Sequence, residues 1–260
     1  STARRHRPSE KHAPRRLLGL LHYMHRATHT PGPGDPVMRS IHLSIAALSL
    51  LCVRAALADV VTILPSKDAS LFEPDAPEDQ LSGGRGSLFV GRTGSGRLRR
   101  TMLKFDLGAA IPAGSAITAV RIELSVSRTQ APGAATTVHR LSADWGEGTT
   151  IGTRGGAGGA VAQAGDATWS HRFWPTDVWT ALGGDFGPPI CEQTLEGIAR
   201  YRFESDGLLE AARDMLAFPS SNYGLIFVGD EINGITAKRI HARESTTTAA
   251  RPAMIVTYTP

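Results

Sequence analysis

Cysteine is nearly absent: the 260-residue chain has two, Cys52 and Cys191, too few for a disulfide framework. Aromatic residues make up only 6% of it. Six of the nine histidines precede residue 59, leaving His139, His171 and His241 in the body, which argues against a multi-histidine metal site. Sustained helical periodicity is rare, and no apolar run reaches the roughly 20 residues of a bilayer-spanning helix. The body also lacks a strong excess of one charge. The chain is formally +4, but residues 1–58 hold nine of the 28 Lys/Arg and two of the 24 Asp/Glu. Residues 59–260 therefore carry 19 bases against 22 acids, a net charge of −3. The basic pI of the whole chain gives no reason to expect a nucleic-acid partner for the folded part.

The N-terminal segment has its own logic. Met38-Arg39 precedes the apolar stretch from Ile41 to Val53, which closes on Ala56-Leu57-Ala58. That order of base, apolar run and small residues reads as a secretory signal peptide over residues 38–58. It predicts an exported chain beginning at Asp59, extracellular or periplasmic, with no membrane span. Residues 1–37, rich in Arg, His and Pro, read as a non-native or disordered upstream segment, or as an extended n-region. Cys52 follows Leu51 rather than a small residue, which disfavours a lipoprotein cysteine, so Cys191 is the one thiol expected in the mature chain.

About 200 residues remain, enough for one domain with a full core. Leu103, Phe105 and Leu107 alternate with Lys104 and Asp106, and Val120, Ile122, Leu124 and Val126 alternate with polar neighbours. This two-residue period predicts half-buried strands. Further strands are expected at Leu88–Val90, Thr137–Leu141, Tyr223–Val228, Ala237–Ala242 and Met254–Tyr258. Many short strands with Gly/Pro-rich connections indicate an all-β antiparallel sandwich over residues 59–260. One short helix is expected at about 205–218, capped by Ser205, with Leu208, Leu209, Ala212, Met215 and Leu216 on one face and Pro219 blocking its continuation.

The glycine-rich stretch 152–165 has no Gly-Lys-Ser/Thr and no helix pattern after it, so it reads as a loop rather than a phosphate cradle. All four tryptophans, Trp145, Trp169, Trp174 and Trp179, fall within 35 residues. Such a cluster either fills a core or offers stacking faces to sugar rings. Trp145, Trp169 and Trp179 are expected in the core, whereas Trp174, between Arg172-Phe173 and Pro175, is the candidate for an exposed ring.

Several segments together carry a likeness. Met102-Leu103-Lys104-Phe105-Asp106-Leu107 is followed by Ile111-Pro112, and then by Val138-His139-Arg140-Leu141-Ser142-Ala143-Asp144-Trp145-Gly146-Glu147-Gly148. Asp166-Ala167-Thr168-Trp169, Pro219-Ser220-Ser221-Asn222-Tyr223-Gly224, Gly229-Asp230-Glu231, Ala242-Arg243-Glu244-Ser245 and Arg251-Pro252 follow in order. Across roughly residues 60–258 this pattern resembles the DNRLRE domain family of secreted proteins. The resemblance implies a jelly-roll-like sandwich in an exported bacterial protein, with relatives similar to alginate-binding modules; it does not imply a catalytic centre.

From the residues themselves, strand parity puts Arg100, Lys104 and Arg121 on wet faces, and the segment after Trp169 supplies His171, Arg172 and Trp174. Guanidinium groups match sugar carboxylates and an indole stacks on a ring, so these six residues form the candidate site for an acidic, uronate-type polysaccharide. The partner expected is a polysaccharide or cell-surface glycan; the alternative is a structural or adhesive surface protein with no sugar site. No cofactor is required by this reading. A structural calcium is the one metal considered, with Asp68, Asp185, Asp230 and Glu231 as oxygen ligands from loops. Asp144 with Glu147, and Ser170 with His171 and Asp177, contain residue types of hydrolases but lack a supporting motif.

Overall fold

Alternation of apolar and polar residues dictates the observed architecture. The computed structural model describes residues 57–260 except 84–85, 130, 132 and 153–157. The expected upstream segment 1–37 and most of the expected signal peptide 38–58 lie outside the described residues, as does the run 153–157 of the glycine-rich stretch. Residues 56–260 form one compact unit.

The first half of the body contributes β1 (Asp59–Ile63), β2 (Lys67–Phe72), β3 (Leu81–Gly83), β4 (Ser87–Arg92), β5 (Leu98–Lys104), β6 (Ala116–Thr129) and β7 (Ala134–Leu141). The second half adds β8 (Ala160–Val161), β9 (His171–Phe173), β10 (Asp177–Val178), β11 (Phe186–Leu195), β12 (Arg200–Phe203), helix α1 (Asp206–Ala217), β13 (Leu225–Gly229), β14 (Lys238–His241) and β15 (Ala253–Thr259). Every pairing among the described strands is antiparallel, and the fold is an all-β sandwich with one α-helix among the described residues. One sheet runs β1-β15-β6-β14-β4 with β12 also on β6, and the other runs β2-β5-β13-β7-β11, extended by β3 and β8. The β4–β5 hairpin joins them through Gly91↔Arg99 and Arg92↔Leu98. At this corner two buried hydroxyls supply hydrogen bonds that the ladder lacks: Ser70 Oγ accepts from Phe89 N at 2.9 Å, and Thr101 Oγ1 donates to Phe89 O at 2.8 Å. Buried backbone groups left without partners would destabilise the corner.

The second sheet is buried on both faces. Leu103, Phe105, Val138, Leu225 and Phe227 enter the core between the sheets. Their neighbours Met102 and Ile226 point the other way, into a second core with Trp145, Trp169 and Trp179. The segment between β7 and β11 covers this outer face. Helix α1 starts where expected, with Ser205 Oγ accepting from Leu208 N at 3.0 Å. It buries Leu208, Ala211, Ala212 and Met215, while Leu209 and Leu216 are partly buried against the same core. The Trp145-Gly146-Glu147-Gly148 corner is held by Asp166, whose buried carboxylate accepts from Thr149 N, Gln163 N and the Thr150 hydroxyl. Gly148 has φ +68°, and a Cβ there would collide with Asp166 Oδ1, so the corner requires glycine at this position.

Candidate functional site

The segment after Trp169 forms the two-strand ribbon of β9 and β10. His171 Nδ1 lies 2.8 Å from Ser170 Oγ, and its ring meets half-buried Trp174 edge-on at 4.6 Å. Arg172 Nη2 donates to Asp177 at 2.8 Å, and Nη1 reaches the carbonyl of Asp144 at 3.5 Å. The Asp144 carboxylate in turn accepts from Lys67 Nζ at 2.9 Å and lies 4.0 Å from Lys104 Nζ. Burial raises the Asp144 pKa, but the Lys67 hydrogen bond and nearby cations outweigh it and hold the carboxyl below its ordinary value. The fold thus brings Lys104 and the unanticipated Lys67 to the Asp144 carboxylate, and Arg172 to the Asp144 carbonyl and the Asp177 carboxylate, with His171 and Trp174 beside it. Asp144 and Asp177 neutralise much of that charge.

Arg100 and Arg121 are not part of this cluster. The wet face expected for Arg100 is the face covered by the tryptophan core: its side chain is 13% exposed and donates to both oxygens of Glu231 and to Gly183 O. Parity was right about the face opposite Leu103, but the covering segment is far away in sequence. Arg121 pairs with Glu123 at 2.9 Å and lines a separate cavity beside Glu204 and Asp206.

A different surface concentrates positive charge. Between the β4–β5 hairpin and the paired ends of β6 and β14 lies a cleft of about 500 Å³, lined by Arg97, Arg99, Arg128, Lys238 and Arg239 against Glu73 and Asp75. Arg97 pairs with exposed Asp75 at 2.8 Å. Arg99 is buried, stacks on Phe72 at 4.8 Å and donates Nη1 to the carbonyls of Leu98 and Glu73, while its buried Nε has no hydrogen-bond partner. Burial pulls its pKa down to about 10, so it stays cationic at neutral pH. Lys238 Nζ donates to Thr129 Oγ1 and Ala131 O, and burial lowers its pKa. Arg239 Nε donates to Ser127 Oγ at 2.9 Å. Arg99, Arg128 and Arg239 have no carboxylate within ion-pair distance among the described residues. The run Arg97-Leu98-Arg99-Arg100 and the pair Lys238-Arg239 were visible signals, but their convergence depends on β14 lying between β4 and β6.

The four expected metal ligands do not meet. Asp185 caps the turn at Thr180 N and Ala181 N, Asp230 accepts from Ile232 N and Asn233, and Glu231 pairs with Arg100. Asp68 instead lies with Glu147 and Glu244. Burial pushes Asp68 up to about 7, against the lowering hydrogen bond from Arg243 N.

The hydrolase-like residues are also separated by their partners. Ser170 Oγ contacts His171 Nδ1, but Asp177 bonds Arg172 and Thr176 rather than the imidazole. Asp144 is held by Lys67, and Glu147 by both Nε and Nη2 of Arg243. Cys191 is buried, and burial raises its thiol pKa. No helix among the described residues is long and apolar enough to cross a membrane. No family model matches the chain, and no curated protein matches it.

Proposed function

We propose that this protein is a non-catalytic, exported polysaccharide-binding module that takes an acidic, uronate-type glycan in the arginine-lined cleft. One observation carries the reading: Arg99, Arg128 and Arg239 border a cleft of about 500 Å³ and have no carboxylate within ion-pair distance among the described residues, although Glu73 and Asp75 line the same cleft and act on Arg99 at longer range. Guanidinium groups bind sugar carboxylates through paired hydrogen bonds. The leader-like residues 38–58 and the likeness to the DNRLRE family agree with export and with a binding role. The Lys67–Lys104–Arg172 cluster is a weaker candidate because Asp144 and Asp177 lie among its cations.

Affinity electrophoresis or calorimetry with alginate, with a neutral glucan as control, tests the reading. Wild type should bind alginate, binding should weaken as salt screens the charges, and Arg128→Ala with Arg239→Ala should reduce it at least tenfold while Arg172→Ala and Trp174→Ala leave most of it. Absence of alginate binding by wild type would favour a structural or adhesive role. Loss confined to Arg172→Ala and Trp174→Ala would move the site to the β9–β10 ribbon.

A further inference from the structure

We propose that Arg99 is the specificity-determining residue of the cleft, and that the free Nε–Nη2 edge of its guanidinium takes one uronate carboxylate of the glycan through paired hydrogen bonds. The inference rests on the polysaccharide reading above and deepens it: the cleft recognises the carboxylate itself and not negative charge alone.

Arg99 lines the cleft although it is only 7% exposed. Local contacts account for one side of its guanidinium. Nη1 donates to Leu98 O at 2.7 Å and to Glu73 O at 3.2 Å, and the guanidinium carbon lies 4.8 Å from the centre of the Phe72 ring. The other edge has no partner among the described residues: Nε is shielded from solvent and donates to nothing, and Nη2 makes no hydrogen bond. The nearby acids are engaged elsewhere. Glu73 Oε2 accepts from Leu98 N at 2.8 Å, and Asp75 Oδ1 accepts from Arg97 Nε at 2.8 Å. A buried cationic donor without an acceptor is strongly unfavourable, and a bound anion removes that penalty.

Other arginines of the chain show what this edge binds. Arg100 places Nε and Nη2 on the two oxygens of Glu231 at 2.8 and 2.9 Å, and Arg243 places the same two atoms on Glu147 at 2.7 and 2.8 Å. In both pairs a planar fork meets a planar carboxylate. Arg99 offers the same fork with no carboxylate of the described chain to fill it. Its low exposure strengthens the contact, because a hydrogen bond is electrostatically stronger where water is excluded. Lysine cannot reproduce it, since an ammonium is a point charge without the paired geometry. A neutral sugar leaves the fork unpaired, and a site built around a hydrogen bond rejects a ligand that lacks the acceptor. Exposed Arg128, by contrast, contributes attraction that salt screens.

The test is calorimetry of the full chain with alginate, carboxyl-reduced alginate and dextran sulfate, using wild type and Arg99→Lys, together with thermal melts. Arg99→Lys keeps the charge and should still weaken alginate binding at least tenfold, and carboxyl reduction should weaken binding to wild type by as much. Added salt should weaken wild type and Arg99→Lys by the same factor, because the charge is retained. A purely structural Arg99 would lower Tm without changing the affinity of the folded variant. If Arg99→Lys does not fold, nuclear magnetic resonance of wild type decides: the Arg99 Nε–H proton should shift downfield on saturation with alginate. An unmoved signal, or a folded Arg99→Lys that binds as wild type does, would overturn the proposal and leave the cleft to Arg128 and Arg239. Dextran sulfate that matches alginate in affinity and in sensitivity to Arg99→Lys would overturn the carboxylate assignment. Absence of alginate binding by wild type would overturn the function proposed above, and this inference with it.

Discussion

Arg100 donates to both carboxylate oxygens of Glu231, at 2.8 and 2.9 Å, from a position over the rings of Trp169 and Phe186. The pair closes the outer face of the second sheet, where the two side chains are only 13% and 18% exposed. Removing one partner leaves the other charge largely desolvated, so Glu231→Gln should destabilise by about 3 kcal/mol, as breaking a buried pair does. Denaturant melts of both singles and the double variant isolate the coupling. A loss below about 1 kcal/mol would mean the pair behaves as a solvated surface bridge. Arg100→Ala should leave alginate affinity unchanged once folding is verified.

Phe105 lies just past β5, 1% exposed in the core between the sheets, with its carbonyl accepting from Asn222 Nδ2 at 2.8 Å. Phe105→Ala should cost about 3–5 kcal/mol through lost burial and a residual cavity. Phe218→Ala, at a side chain in a residue 62% exposed, should change stability by about 0.5 kcal/mol or less. Similar losses for both would contradict the assigned core.

The inward faces of β5, β6 and β13 were legible because alternation is a local property. So was helix α1, whose cap, apolar face and stop signal all lie within one segment. Strand β11 was not legible, because Pro188 and Pro189 argue against a strand. The sheet tolerates them because β11 lies at its edge, paired among the described residues only with β7, with register shifts on both sides of Pro189. Alternation also cannot tell water from a covering layer, so Arg100 and Lys104 looked equivalent although only Arg100 is enclosed by Trp169, Phe186 and Glu231. The basic cleft and the Asp68–Glu147–Glu244 group join residues from distant strands and loops, and no local pattern encodes such meetings.

Cys191 on β11 is buried, and desolvation raises its thiol pKa, outweighing hydrogen bonds that would lower it. A thiol reacts through its thiolate, so native protein at neutral pH should leave Cys191 unlabelled by iodoacetamide over the time in which denatured protein is fully labelled. Mass spectrometry of the Cys191 peptide provides the measurement. Equal labelling rates would show that this edge strand opens readily.

Glu123 on β6 supplies the pH prediction. Burial raises its pKa, but hydrogen bonds from Arg121 Nε at 2.9 Å and Arg200 Nε at 2.6 Å outweigh that effect and hold the carboxyl below its ordinary value. The unfolded chain therefore binds this proton more readily than the folded one, and stability rises with pH through the interval between the two values. The contribution is complete above the unfolded value of about 4.3 and disappears as pH falls through the lower folded one. Glu123→Gln should destabilise at pH 6, and the gap between wild type and variant should narrow from about pH 5 to about pH 3. Urea melts at several pH values measure it directly. A gap that stays constant or widens on acidification would mean that Arg121 and Arg200 do not hold Glu123 in its charged form.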